Sequence, residues 1–303
     1  MKWFVYSPRY SADFGEHVFR TAKYRLLTER LLGDGILKED EIVEPEPASW
    51  EDLLLVHTPE YIDDLKNLRW SHRTIRSELP LTREIIDFFR LASGGTYIAA
   101  SLALENGLSF HNGGGFHHAY EDHAEGFCYI NDIAYAIRKL QKEKRIRRAA
   151  VIDCDVHQGN GTAHIFRNDP DVFTFSIHQE MNYPMPKERS DRDIGLPDRT
   201  SDTVYNTLLR EAVEQIYGEH RPQLVVYVAG ADPYLDDLLG GLSLTKEGLM
   251  ERDEIVIGEA AKRGIPLAVV LAGGYARRVE DLVDIHYNTA VVLRKHLDGI
   301  RER

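Results

Sequence analysis

An α/β fold built on a mainly parallel β-sheet follows from three observations on this 303-residue chain. Helical and strand patterns alternate along most of its length. No linker-like, low-complexity or repeated segment divides it. Small polar clusters follow the ends of successive apolar strand-like runs, which is where open α/β sheets collect their ligands. One domain over 1–303 is therefore expected, a three-layer sandwich with helices on both faces of the sheet.

In chain order, Trp-Phe-Val-Tyr predicts a strand over 3–6, and apolar residues at helical spacing predict helices over 17–32 and 83–105. A short strand over 108–111 precedes a glycine run, and a helix over 132–142 follows. Ala-Ala-Val-Ile-Asp gives a strand over 149–153, and a second apolar run gives one over 172–177. The helical period returns over 203–217. Leu-Val-Val-Tyr-Val over 224–228 reads as a buried strand, and a helix over 246–263, a strand over 267–271 and a helix over 279–296 complete the alternation.

A hydrophobic content of 43% suffices for a large single core. The opening Met-Lys-Trp-Phe-Val-Tyr-Ser-Pro has too short an apolar stretch for a signal peptide, and the apolar runs elsewhere are of strand length. A soluble cytoplasmic protein with no membrane partner is the expectation. Cys128 and Cys154 lie in apolar or aromatic surroundings that suit buried free thiols. With 37 basic and 49 acidic residues the net charge is −12, which disfavours general nucleic-acid binding. The basic cluster over 142–148 falls where a helix ends, and it complements the helix dipole there.

The polar residues at the strand ends carry the chemistry. Asp153, Asp155 and His157 alternate at the end of an apolar run, so in a strand they would share one face. Burying two carboxylates beside an imidazole costs several kcal/mol, roughly, unless a cation or hydrogen bonds compensate. A divalent ion suits these ligands, although an Asp at a strand end also caps helices. Asp232, just past the strand at 224–228, would complete a three-ligand set with open positions for water and substrate. Residues 112–118 read Asn-Gly-Gly-Gly-Phe-His-His, where the glycines permit close backbone approach and paired histidines suit proton transfer. Tyr275, after Gly273 and Gly274, could donate to an oxyanion, and Gly126, Phe127 and Tyr183 belong to aromatic loops able to line a narrow tunnel.

With these segments in this order, the chain resembles the histone deacetylase family, within the wider arginase and deacetylase fold, from its first strand to about His296. The motifs are Gly-Gly-Gly-Phe-His-His, Gly-Phe-Cys-Tyr-Ile-Asn-Asp, Asp-Cys-Asp-Val-His-Gln-Gly-Asn-Gly, Ala-Gly-Ala-Asp and Ala-Gly-Gly-Tyr. The Gln158-Gly159-Asn160-Gly161 and Ser93-Gly94-Gly95-Thr96 segments look most like the class IV branch and its bacterial relatives. The resemblance implies that Asp155, His157 and Asp232 hold a catalytic zinc, with iron(II) or cobalt(II) as alternatives. It implies His118 as general base and then acid, His117 with Asp153 as its electrostatic partner, and Tyr275 as oxyanion donor. It also implies a structural potassium ion near Asp153, held by Asp155, His157, Ser176 and Ile177. Phe127 and Tyr183, with Gly126 and Gly273, match the tunnel around a lysine stem.

Two departures stand out. Asn160 occupies the place where some branches have an Asp partner for the second histidine, so His118 is expected to have a lower pKa than theirs. His17-Val18 replaces a common His-Pro, which unsettles an inner channel lined by Arg20 and Lys23. The function implied is removal of an acetyl or longer acyl group from a lysine side chain of a protein or peptide. Its rivals are a deacetylase of acetylpolyamine-like small amines and an inactive acyl-lysine-binding protein. A two-metal site like that of arginase is disfavoured, because a second ligand set is not evident.

Overall fold

The computed structural model describes residues 1–302. In chain order its elements are β1 (Phe4–Val5), α1 (Ala22–Gly33), β2 (Ile42–Val43), α2 (Trp50–Leu53), α3 (Pro59–Lys66), α4 (Arg83–Asn106), β3 (Leu108–His111) and α5 (Asp132–Lys142). There follow β4 (Ala149–Asp153), α6 (Asn160–Phe166), β5 (Val172–Gln179), β6 (Arg192–Leu196), α7 (Asp202–Gln215), β7 (Leu224–Val228), α8 (Lys246–Arg263), β8 (Leu267–Val270) and α9 (Val279–Arg301). The strands form one open sheet in the order β2-β1-β3-β8-β7-β4-β5-β6, with every pair parallel. Among the described residues no helix is long and apolar enough to cross a membrane.

The central strands are continuous apolar runs because both faces of the sheet are covered. Ala149, Val151, Val226, Val228 and Val270 share one core with Ala99 and Ala103 of α4 and Ile133 and Ile137 of α5. The alternate residues Ile152, Val225, Tyr227 and Val269 share the other core with Leu209 of α7, Val256 of α8 and Leu293 of α9. That alternation is the period of two expected of a pleated strand. Caps set the helix starts: Thr82 accepts from the Ile85 amide at α4, Asn131 from Ala134 at α5 and Thr245 from Gly248 at α8.

The first helix corrects the sequence reading, because it begins at Ala22 and not at 17. Residues 17–20 turn instead, with His17 accepting from the Phe19 amide, and Phe19 joins the aromatic cluster of Phe14, Phe88 and Phe116. Apolar spacing there reflects a loop folded over the sheet end. Strands β2 and β6 went unpredicted: β2 has two residues, and Arg-Asp-Ile-Gly-Leu of β6 contains no apolar run. The short helices α2, α3 and α6 were missed as well, and α9 continues to Arg301, past the predicted end at 296.

Register then aligns the strand ends. Asp153 stands level with Ser176 and with Val228, Val228 with Val270, and Val270 with His111. Four neighbouring strands, β3, β8, β7 and β4, therefore end at one height, and β5 passes that level at Ser176 and runs on to Gln179. The polar residues that follow them in sequence meet there.

Candidate active site

Asp155, His157 and Asp232 come together, each buried, with a ligand atom from each within 4.8 Å of the others. The backbone fixes them. Asp155 Oδ2 accepts from the Gly273 amide at 2.8 Å and Asp232 Oδ1 from the Val156 amide at 2.8 Å. Asp232 thus caps no helix and faces the β4 loop. Its Oδ2 is buried without a hydrogen-bond partner, which is costly for a carboxylate oxygen unless something binds there. A Cβ on Gly273 would lie 2.1 Å from Asp232 Oδ2 and 2.6 Å from Asp155 Oδ2, so glycine keeps the cradle open. Burial and the nearby Asp155 charge push Asp232 up to about 7, and against the opposing effect of burial the two carboxylates push His157 up to about 10. Two carboxylates that repel each other, one with an oxygen lacking a hydrogen bond, and an imidazole between them fit a divalent cation.

The paired histidines arrive on the glycine turn after β3. Gly115 has φ +87°, and a Cβ there would lie 2.6 Å from the Ala272 backbone, so the turn packs directly on the loop after β8. Asp132 at the start of α5 accepts from the Gly115 and Phe116 amides at 2.9 and 2.7 Å and pins the turn. His117 Nδ1 lies 2.6 Å from Asp153 Oδ2, while Asp153 Oδ1 accepts from the Asp155 amide at 3.1 Å. Burial disfavours the charged ring, but Asp153 and Asp155 outweigh it and push His117 up to about 9. His118 has no such carboxylate: its Nδ1 lies 2.6 Å from Asn160 Oδ1, and burial with the neighbouring His117 and His157 holds it well below the usual imidazole range. Adjacent rings thus take opposite states, one charged and one neutral.

Tyr275 is buried, its amide donating to Asp237 Oδ2 at 2.6 Å. Burial and the charges of Asp155 and Asp232 hold its phenol well above the ordinary value, so it remains an O–H donor. From this floor a cavity of about 210 Å³ opens outward, lined by His118, His157, Tyr275, Gly126, Phe127, Tyr183, Asn182, Leu239 and Glu78. Phe127 and Tyr183 reach it from separate loops, and the His118 and Tyr183 rings meet edge to face at 5.0 Å. Inward, a recess of about 20 Å³ lies beside Phe19, Phe116 and Cys128.

Other placements differ from expectation. Arg20 does not line the interior, because its guanidinium donates outward to Arg277 O at 3.2 Å. Lys23 is buried and donates to Ala272 O at 2.9 Å, behind the cradle. Ser176 Oγ lies 2.9 Å from His178 Nδ1 on β5, beside Ile177 and Asp153. Sequence reasoning missed Glu125, Asp132, Asp237, Glu78, Asn182 and Leu239. Asp237 was legible only as part of an acidic pair, yet it also accepts from the Leu239 and Gly240 amides at 2.8 and 2.9 Å. It therefore ties the mouth to the Tyr275 loop.

The carboxyl edge of this parallel sheet thus gathers a candidate metal cradle, a neutral imidazole and a buried phenol, the groups that metal-assisted hydrolysis needs. Comparison narrows the class. Residues 17–290 match the histone deacetylase domain. An uncharacterised protein of Picosynechococcus sp. (strain ATCC 27264 / PCC 7002 / PR-6) is 40% identical over 284 residues, covering 93% of this chain and 95% of that protein. Histone deacetylase 2 of Arabidopsis thaliana is 33% identical over 299 residues, covering 92% and 77%. The crystal structure of the HDA15 HD domain superposes with a TM-score of 0.80 at 21% identity, covering 99% of this chain and 92% of that one. The chain belongs to the histone deacetylase family.

Proposed function

We propose that the protein is a metal-dependent amidohydrolase that removes an acetyl group from a lysine side chain of a protein or peptide. The observation that carries this reading is the cavity, where an aromatic-walled passage ends on His118, His157 and Tyr275 together. An amide carbonyl is a poor electrophile, so its hydrolysis needs polarisation and a base in one place. Asp155, His157 and Asp232 would hold zinc, with iron(II) or cobalt(II) compatible with the same donors. When bound, the ion would polarise the acyl carbonyl and make water at this site more acidic. His118 takes the proton of the attacking water at Nε2 and returns it to the departing amine. Tyr275 donates its hydroxyl to the oxyanion. His117, charged and paired with Asp153, supplies positive potential beside that oxyanion.

Phe127 and Tyr183 would flank the lysine stem, with Gly126 leaving room for it, whereas Gly273, expected in the tunnel, lies deeper, at the inner recess beside Asp155 and His157. The inner recess, about 20 Å³, favours acetyl over longer acyl chains. Asp153, Asp155, His157, Ser176 and Ile177 remain the proposed seat of a structural potassium ion. Buried free Cys128 and Cys154 accord with a cytoplasmic setting.

Glu78 favours a second reading, since an exposed carboxylate at the mouth could pair with the distal ammonium of an acetylated polyamine. It could equally accept backbone amides of a peptide. Zinc-reconstituted protein with measured metal content, assayed on an acetyl-lysine peptide and on an acetylpolyamine, separates the two. Faster turnover of the peptide is expected. A metal-replete sample inactive on both would leave an acyl-lysine-binding protein as the better account.

A further inference from the structure

Asn160 is an ambiguous partner for a general base, because its amide can present either an oxygen or an NH₂ to the ring. With the oxygen facing His118 Nδ1, that nitrogen must carry the proton and Nε2 is free to act as base. With the NH₂ facing it, the tautomer reverses and the base is lost. Its second neighbour decides between them. Asn160 Nδ2 donates to Glu125 Oε1 at 3.0 Å, and an ionised carboxylate can only accept. Glu125 is buried, which disfavours its charge, but its Oε2 lies 2.5 Å from Arg76 Nη2 and 3.3 Å from His123 Nε2. Against burial, His123 and Arg76 hold the carboxyl below the usual range and keep it an acceptor.

We infer that Glu125 is a positioning residue, orienting the Asn160 amide and thereby fixing His118 in the Nδ1–H tautomer. This rests on the deacetylase reading for its catalytic consequence, although not for the tautomer itself. Glu125→Gln removes the constraint at nearly constant volume, since a glutamine amide satisfies either orientation of Asn160. Turnover of the zinc-reconstituted variant should fall roughly 10-fold through kcat, with KM and bound zinc changed by less than about 2-fold.

The decisive comparison uses Asn160→Asp, where an acceptor-only carboxylate fixes the tautomer unaided and now faces Glu125 as a like charge. In that background Glu125→Gln should cost nothing or raise kcat. An equal loss in both backgrounds, or no loss in the first, overturns the inference. Nitrogen-15 NMR of the His118 ring, assigned by its disappearance in His118→Ala, reports the tautomer without turnover. The native protein should show Nδ1–H alone and Glu125→Gln a mixture. An Nε2–H ring in the native protein overturns the inference even if the protein proves to deacetylate nothing. Absence of turnover with an Nδ1–H ring that changes in Glu125→Gln would instead remove the deacetylase reading and leave Glu125 in place.

Discussion

On the floor of the cavity Asp155 and Asp232 are buried and fixed by amides of distant loops, Gly273 and Val156. At its mouth Glu78 is exposed, sits at φ +63° after a 3₁₀ turn, and shares the rim with Leu239 and Asn182. The floor grows from aligned strand ends; the mouth is assembled from loops. In the low-dielectric floor each charge changes its neighbours' ionisation, so His117 and His118 differ although they are adjacent in sequence. At the mouth water and salt screen the same charges. The floor is therefore suited to chemistry, and the mouth to selection among substrates.

The largest test of this contrast is Tyr275→Phe. Removing one buried oxyanion donor costs about 10²–10³-fold in kcat where such donors act in a water-excluded site. The Tyr275 backbone amide on Asp237 is retained in the variant, so fold and bound zinc should be unchanged. Steady-state kinetics with metal analysis checks this, and an effect confined to KM would place Tyr275 with the mouth.

A second test reaches the supports beneath the floor. His57 Nε2 accepts the Asn131 amide at 3.2 Å, and the His111 ring sits between Tyr10 Oη at 2.8 Å and Thr96 Oγ1 at 3.0 Å. Burial pushes His57 down to about 4 and His111 down to about 3. The unfolded chain, with an ordinary imidazole pKa near 6.5, binds protons that the folded state refuses. Stability is thus full above about pH 6.5 and falls toward pH 4, by about 1.4 kcal/mol per pH unit for each histidine. Urea unfolding across this range should show His57→Gln losing that much of the slope, because its amide oxygen still accepts from Asn131 but does not titrate. An unchanged slope would mean that the floor is not braced by neutral rings.

The same contrast explains what the sequence discloses. Asp155, His157, Asp232, His117, His118 and Tyr275 are legible because each follows an apolar run at a strand end, and parallel register levels those ends. Glu125 and Asp237 matter to the site by accepting from the Asn160 side chain and the Tyr275 amide, 35 and 38 residues away, a relation that no local period encodes. The paired edges were harder still, since β2 is two residues long and β6 alternates with exposed polar side chains. At 17–20 the helical spacing was real but served a turn, because Phe19 and His17 pack on Phe14 and Phe127 over the site. Glu78 and Leu239 carry no signal in sequence, because their loops become a rim only when Phe127 donates its amide to Ser77 O and Asp237 gathers 239–240.

The smallest expected effect belongs to that rim. If Glu78 contacts substrate only at the mouth, Glu78→Gln should raise KM for an acetyl-lysine peptide about 5-fold, the equivalent of about 1 kcal/mol for an exposed charged contact. Turnover at saturation should be unchanged, because the carboxylate is outside the group of residues that meets the scissile bond. Raising the salt concentration should shrink the difference between native and variant, as screening removes what the charge contributed. The substrate used also matters: a loss larger on an acetylpolyamine than on the peptide would mean that the carboxylate reads a distal cation rather than peptide amides. A fall in kcat comparable to that of Tyr275→Phe would show that mouth and floor are electrostatically continuous, and the division drawn between them would fail.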